Sequence, residues 1–128
     1  VEARSFRQGP VRAAGEAQHE AAVRRVRSLE VDVARMAGVR IPLIPGIMPI
    51  TNYSKLARFS DACGAEIPRW IRLRLQAYGD DSEAIAAFGE EVISGLCQRL
   101  LDGGAPGLHF YTLNQAEPTL KVLDNLRT

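Results

Sequence analysis

Cysteine and histidine are scarce in this chain, long apolar runs are missing, and neither sign of charge dominates. Each absence excludes something. Cys63 and Cys97 are the only cysteines, 34 residues apart and outside any CxxC pair, so the chain carries neither a disulfide framework nor a zinc site. His19 and His109, the only histidines, are too far apart to suggest a histidine-based metal centre. The longest apolar run covers residues 41–50 (IPLIPGIMPI) and holds three prolines. A spanning helix needs about 20 apolar residues, so no membrane segment is expected. Arginines interrupt every short apolar stretch before Val39, so no signal-peptide core is visible. The expectation is a cytoplasmic address with reduced thiols, which makes the Asn52-Tyr53-Ser54 sequon a chance match. Sixteen basic against fifteen acidic residues leave a net charge of +1, which argues against nucleic acid as a partner.

What is there suffices for one domain: 128 residues, 46% hydrophobic and 24% charged. The charge is unevenly spread. Residues 1–40 hold eight arginines, no lysine and five acids; residues 41–128 hold eight basic and ten acidic residues. Residues 1–38 thus form an Arg/Ala-rich segment, helical or poorly ordered, set apart from residues 39–128. Ala22, Val26, Leu29, Val33 and Met36 recur at three- to four-residue spacing and predict a helix over 11–36, with Gly38 ending it. The arginines read either as a nucleic-acid arm or as a solvated face. The interleaved acids, with no aromatic beyond Phe6 to stack a base, favour the solvated face.

The remainder is more regular. Residues 40–44 (RIPLI), bounded by Pro45-Gly46, predict a buried strand. Residues 51–54 are rich in capping groups and open a helix carrying Leu56, Phe59 and Cys63, ended by Gly64. Pro68 starts a second helix with Trp70, Ile71, Leu73 and Leu75, ending near Gly79. Asp80-Asp81-Ser82 caps a long helix with the stripe Ile85, Val92, Ile93, Leu96 and Leu100, stopped by Gly103-Gly104. Residues 107–112 (GLHFYT) predict a second strand, and a terminal helix follows through Val122, Leu123 and Leu126.

Two strands separated by helices imply an α/β chain with parallel strands and helical crossovers, mostly helical overall. The candidates are a doubly wound sheet or a piece of a (β/α)8 TIM-type barrel. No GxGxxG or Walker motif is present, and a whole barrel needs about 250 residues. Two strands also leave their edges unpaired, which predicts self-association or another covering chain. In either architecture function sits at the C-terminal ends of the strands, which selects residues 45–52 and 111–117.

Those two segments carry a resemblance. Ile44-Pro45-Gly46-Ile47-Met48-Pro49-Ile50-Thr51-Asn52-Tyr53 resembles the IPGI(M/L)P(I/V)SNF signature of the methylenetetrahydrofolate reductase family. Leu108-His109-Phe110-Tyr111-Thr112-Leu113-Asn114 resembles that family's (L/F)HFYTLNR segment. Ala65-Glu66-Ile67-Pro68-Arg69-Trp70 and Tyr78-Gly79-Asp80-Asp81 fall between them at matching spacing. The resemblance covers roughly residues 31–126, about three quarters of the chain. It implies the C-terminal portion of a (β/α)8 barrel, its final two strands. It also implies an FAD enzyme that uses NAD(P)H to reduce 5,10-methylenetetrahydrofolate to 5-methyltetrahydrofolate. The family's catalytic glutamate lies near the first strand and its flavin contacts mostly on middle strands. Neither region has a counterpart here, so no catalytic or flavin-binding residue is assigned, and residues 1–30 depart from the pattern. The alternative is a non-catalytic barrel remnant that acts by packing against another chain.

Three substrate-binding positions follow from the resemblance. Phe59 matches the family phenylalanine that packs on the aminobenzoate ring of folate, a fitting task for an aromatic at a barrel mouth. From spacing alone it sits on the stripe Leu56–Phe59–Cys63 and reads as core. Leu113 matches a residue lining the same pocket, or is an ordinary apolar loop residue. Gln115 stands where the family commonly has an arginine that pairs with folate's glutamate carboxylate; an amide offers hydrogen bonds without charge. Lys55 stands where a bacterial glutamine approaches the pterin. Other groups read plainly: Asp80, Asp81 and Glu83 as a capping cluster rather than magnesium ligands, His109 as a packed histidine, Cys97 as inert core, and Arg69, Arg72 and Arg74 as a solvated face.

Overall fold

The computed structural model describes residues 17, 21, 24, 31–64 and 66–127. The chain divides into two units between Ile41 and Pro42. In the first, helix α1 (Asp32–Met36) is held at its end by Arg35, whose Nη1 donates to the carbonyls of Val39 at 2.8 Å and Ile41 at 3.0 Å. Gly38 follows with φ 88°. The helix expected over 11–36 therefore has its last turn; most of its earlier part lies outside the described residues.

The second unit runs β1 (Gly46–Ile47), α2 (Tyr53–Cys63), α3 (Arg69–Tyr78), α4 (Ser82–Asp102), β2 (His109–Phe110) and α5 (Ala116–Arg127). It is mostly helical with two strands, and the strands are parallel, with Gly46 opposite His109 and Ile47 opposite Phe110. The three intervening helices form the long crossover that parallel pairing demands.

The first strand lies further along the chain than the sequence suggested. Residues 40–44 form no strand; Ile41 is 68% exposed and Ile44 54%. Pro45 and Gly46, expected to bound the strand, belong to the ladder. The His109 N–H donates to the Pro45 carbonyl at 3.0 Å, and the Tyr111 N–H to the Ile47 carbonyl at 2.8 Å. The reason is pairing. A strand exists only opposite a partner, β2 is short, and Pro42 and Pro45 offer no N–H. A proline whose carbonyl alone is used sits comfortably at the start of a strand.

Helix α4 is the hub. Ile85, Phe88, Gly89, Val92, Ile93, Cys97 and Leu100 are all buried along one face. Asp81 caps it, its Oδ1 accepting from the Ala84 N–H at 3.1 Å. Against Phe88 lie the rings of Trp70 at 5.9 Å, edge-on, and Tyr78 at 5.7 Å, both from α3. The Arg74 guanidinium stands 5.9 Å from the same ring, so one arginine of the supposed solvated face lies against an aromatic. The stripe read from the sequence omitted Phe88, the aromatic node between α3 and α4. Leu73, expected on the apolar side of α3, is 53% exposed.

On its other side α4 holds α5. Val122 is 1% exposed, and Asn125 Nδ2 donates to Glu90 Oε1 at 2.9 Å and Ser94 Oγ at 3.0 Å across the helix pair. The loop after β1 presses onto α4 at Gly89, where a Cβ would overlap the backbone carbonyl of Ile50. No described helix is long and apolar enough to cross a membrane.

Two outcomes follow from this packing. Alanine normally improves a helix interior by about 1 kcal/mol over glycine, but overpacking against rigid neighbours costs about 1–3 kcal/mol. The neighbour at Gly89 is backbone and cannot swing away, so Gly89→Ala should lower the urea midpoint measured by helical circular dichroism; a raised midpoint contradicts the contact. The second outcome concerns the thiols. Cys63 is exposed, which removes it from the expected α2 stripe, whereas Cys97 is buried and its thiol is pushed up to about 11 by that burial. A thiol reagent near neutral pH should label Cys63 quickly and Cys97 only on unfolding. The folded thiol keeps its proton where the unfolded one, near 9.0, has lost it. Its contribution to stability is therefore full below 9.0 and falls as pH rises toward about 11.

Candidate functional site

The loops at the C-terminal ends of β1 and β2 face each other across a small depression. Asn52 starts α2 beside it. Its backbone is extended, with φ −152°, and its Oδ1 accepts from the Lys55 N–H at 3.1 Å, which satisfies one of the helix's open donors. Gly64 closes the helix in the left-handed conformation with φ 66°. Both ends of α2 are thus fixed by local sequence, and its first turn presents Lys55 toward the strand ends.

After β2 the chain turns sharply. Leu113 and Asn114 both have positive φ, 49° and 66°, and the Gln115 N–H donates to the Thr112 carbonyl at 2.9 Å to close the turn. Asparagine tolerates this conformation; leucine adopts it at a cost. The strained turn leaves Leu113 57% exposed.

The depression is bounded by Pro49, Asn52 and Lys55 on one side and Tyr111, Leu113 and Gln115 on the other. Its volume is about 20 Å³, room for about one water molecule. A planar ligand would lie across it rather than inside it. A larger cavity of about 150 Å³ lies between α4, α5 and the loop after β1, floored by Ile50 and Val122, with Glu117 and Lys121 in its lining. Those two side chains pair at 3.1 Å. Nothing in the sequence pattern pointed to this cavity.

Of the three positions singled out from the sequence, Leu113 and Gln115 share the depression with Lys55. Phe59 does not line it. It is half-buried one helical turn beyond Lys55, and its ring lies 5.7 Å from that of Tyr111 at 52°. Tyr111 is the link that places Phe59 beside the depression. The Tyr111 ring also meets His109 edge-on at 4.9 Å. His109 is exposed, not packed as expected, because it shares the open face of the sheet with Gly46 while Ile47 and Phe110 face the helices. The role of Tyr111 was missed. The available signal was its two-residue offset from His109, which puts both on one face of a strand.

Residues 27–127 match the family model described as methylenetetrahydrofolate reductase. A rice protein (Oryza sativa subsp. japonica) named probable methylenetetrahydrofolate reductase (NADH) is 38% identical over 96 residues, 75% of this chain and 16% of that protein. Methylenetetrahydrofolate reductase 2 of Saccharomyces cerevisiae is 40% identical over 93 residues, 72% of this chain and 16% of its own length. The 5,10-methylenetetrahydrofolate reductase of Escherichia coli is 31% identical over 90 residues, 70% of this chain and 30% of that protein. The chain therefore spans about one sixth of the rice and yeast relatives and under a third of the bacterial one.

Proposed function

This chain belongs to the methylenetetrahydrofolate reductase family, and from that membership we propose that it contributes the folate-facing end of the last two strands of a (β/α)8 barrel. The activity proposed for the assembled protein is flavin-dependent reduction of 5,10-methylenetetrahydrofolate to 5-methyltetrahydrofolate with NAD(P)H. The observation that carries this reading is the convergence of the loops after β1 and β2 on one depression, at the end of the sheet where barrel enzymes bind substrate.

In this reading Phe59 offers its face to the aminobenzoate ring of folate, and Leu113 closes the apolar side. Gln115 meets the glutamate tail with an amide, which donates a hydrogen bond but adds no charge. Lys55, in the same depression, offers a cation to a carboxylate.

FAD is a general property of the family, but the described residues do not form a site for it by themselves. A diphosphate needs clustered backbone N–H groups or arginines. The open ends of α2 and α4 are already capped by Asn52 and by the Asp81 carboxylate, and the depression holds one lysine. The flavin therefore belongs to barrel strands other than these two, and no hydride step is assigned to this chain's residues.

A second reading has an observation of its own. β1 and β2 form a two-stranded sheet, and Ile44, Leu73 and Leu120 are each more than half exposed. Open parallel edges recruit other strands. In isolation the chain is proposed to self-associate, and it is a non-catalytic partner until the rest of a barrel covers it. Sedimentation equilibrium should show species heavier than 14.0 kDa; a stable monomer contradicts this.

The substrate assignment is tested in a chimera that joins residues 41–128 to the remaining strands of a homologous full-length enzyme. Gln115→Arg should tighten folate binding through a charge-assisted pair, by about 1.5 kcal/mol or less because the site is open to solvent. Phe59→Ala should weaken it. A flavin-loaded, active chimera whose folate affinity ignores both changes would show that these residues do not face the substrate.

A further inference from the structure

The open face of the sheet carries a contact that depends on a missing side chain. Gly46 lies opposite His109 in the ladder, and Tyr111 lies two residues beyond His109 on the same face. The Tyr111 ring folds back over Gly46. A Cβ on residue 46 would sit 2.6 Å from Tyr111 Cε2, 3.0 Å from its hydroxyl oxygen and 3.2 Å from Cζ. Real side-chain carbons do not approach so closely, so any other residue at 46 pushes the ring away. From this seat the ring reaches Phe59 at 5.7 Å, within the range of a favourable aromatic pair. His109 meets its other side at 4.9 Å. Phe59 is on α2, which follows β1 through the loop of residues 48–52. The ring contact is thus a direct side-chain link between α2 and the end of β2.

We infer that Tyr111 is a positioning residue that sets the orientation of the Phe59 ring, and that residue 46 is glycine so that Tyr111 can reach it. The inference rests on the reading of Phe59 as the wall for a planar ring, and it deepens that reading. It names the pair of positions, one on β1 and one just after β2, that fixes a third side chain on a helix. Tyrosine is used for its ring. No hydrogen bond from its hydroxyl takes part, so phenylalanine at 111 preserves the contact and alanine removes it.

The test has two arms, both on the full chain. The first needs no ligand. Proton NMR should show cross-relaxation between the rings of Phe59 and residue 111 in the native protein and in Tyr111→Phe. The Phe59 ring resonances should shift in Tyr111→Ala and in Gly46→Ala. Unshifted Phe59 resonances in both variants overturn the inference. The second arm measures binding of p-aminobenzoylglutamate, which carries the ring and the glutamate tail without the pterin. Tyr111→Ala and Gly46→Ala should each weaken binding by roughly 2- to 12-fold, the worth of one aromatic pair. Tyr111→Phe should restore it. In a Phe59→Ala background, Tyr111→Ala should cost less than it does alone, because the part of its effect that runs through Phe59 is already lost. Full additivity of the two changes, or unaltered binding in Tyr111→Ala alongside weakened binding in Phe59→Ala, overturns the inference. If the native chain does not bind the probe, it is the substrate-wall reading of Phe59 that fails, and the positioning of its ring by Tyr111 is decided by the first arm.

Discussion

Residue 89 has no side chain, and the backbone carbonyl of Ile50 occupies the space one would need. Much of the second unit depends on this approach. It brings the loop after β1 down onto the middle of α4, the longest helix, so the end of the first strand is placed against the main core element. Ile50 is buried, as are Val92, Ile93 and Val122, and Ile50 and Val122 line the same cavity. On either side of that point α4 takes a neighbour: α3 through the rings around Phe88, and α5 through Val122 and the Asn125 bridge to Glu90 and Ser94. Burial on α4 is therefore nearly continuous from Ile85 to Leu100.

A second close approach shapes the functional end. Gly46 and Gly89 use the same device on opposite sides of β1. One lets a helix meet a backbone carbonyl, and the other lets a tyrosine ring lie over a strand. Both trade the side chain of one residue for contact by another, and in each case the contact fixes an element in space. Through Gly89 the helical layer is registered against β1. Through Gly46 the open face of the sheet acquires an aromatic surface of His109, Tyr111 and Phe59. The two faces of one short strand thus serve the core and the mouth of the site.

Among the described residues the two-stranded sheet stays open at both edges, and several large apolar side chains remain in water. A closed barrel has no such edges, because each strand is paired on both sides. The chain covers about a sixth to under a third of the length of its relatives. Residues 40–44 have the apolar, β-branched composition of a strand and, among the described residues, lack a partner to pair with.

Local chemistry was enough to determine the helices of the second unit. Asn52, Asp81 and Gly64 cap where their side-chain oxygens or missing Cβ allow, and the apolar spacing between them fixes which face turns inward. The parallel sense of the strands followed from the length of chain between them, and the two strand-end motifs pointed to the loops that form the depression. What the sequence could not determine was where pairing begins and which rings meet. β1 fell at Gly46–Ile47, not at 40–44, because a ladder is decided by the partner opposite and not by the propensity of the strand itself. Cys63 left the buried stripe, His109 turned outward and Phe88 became the aromatic node for the same kind of reason. Which face of an element is covered depends on what packs against it, and only the tertiary structure brings those neighbours together.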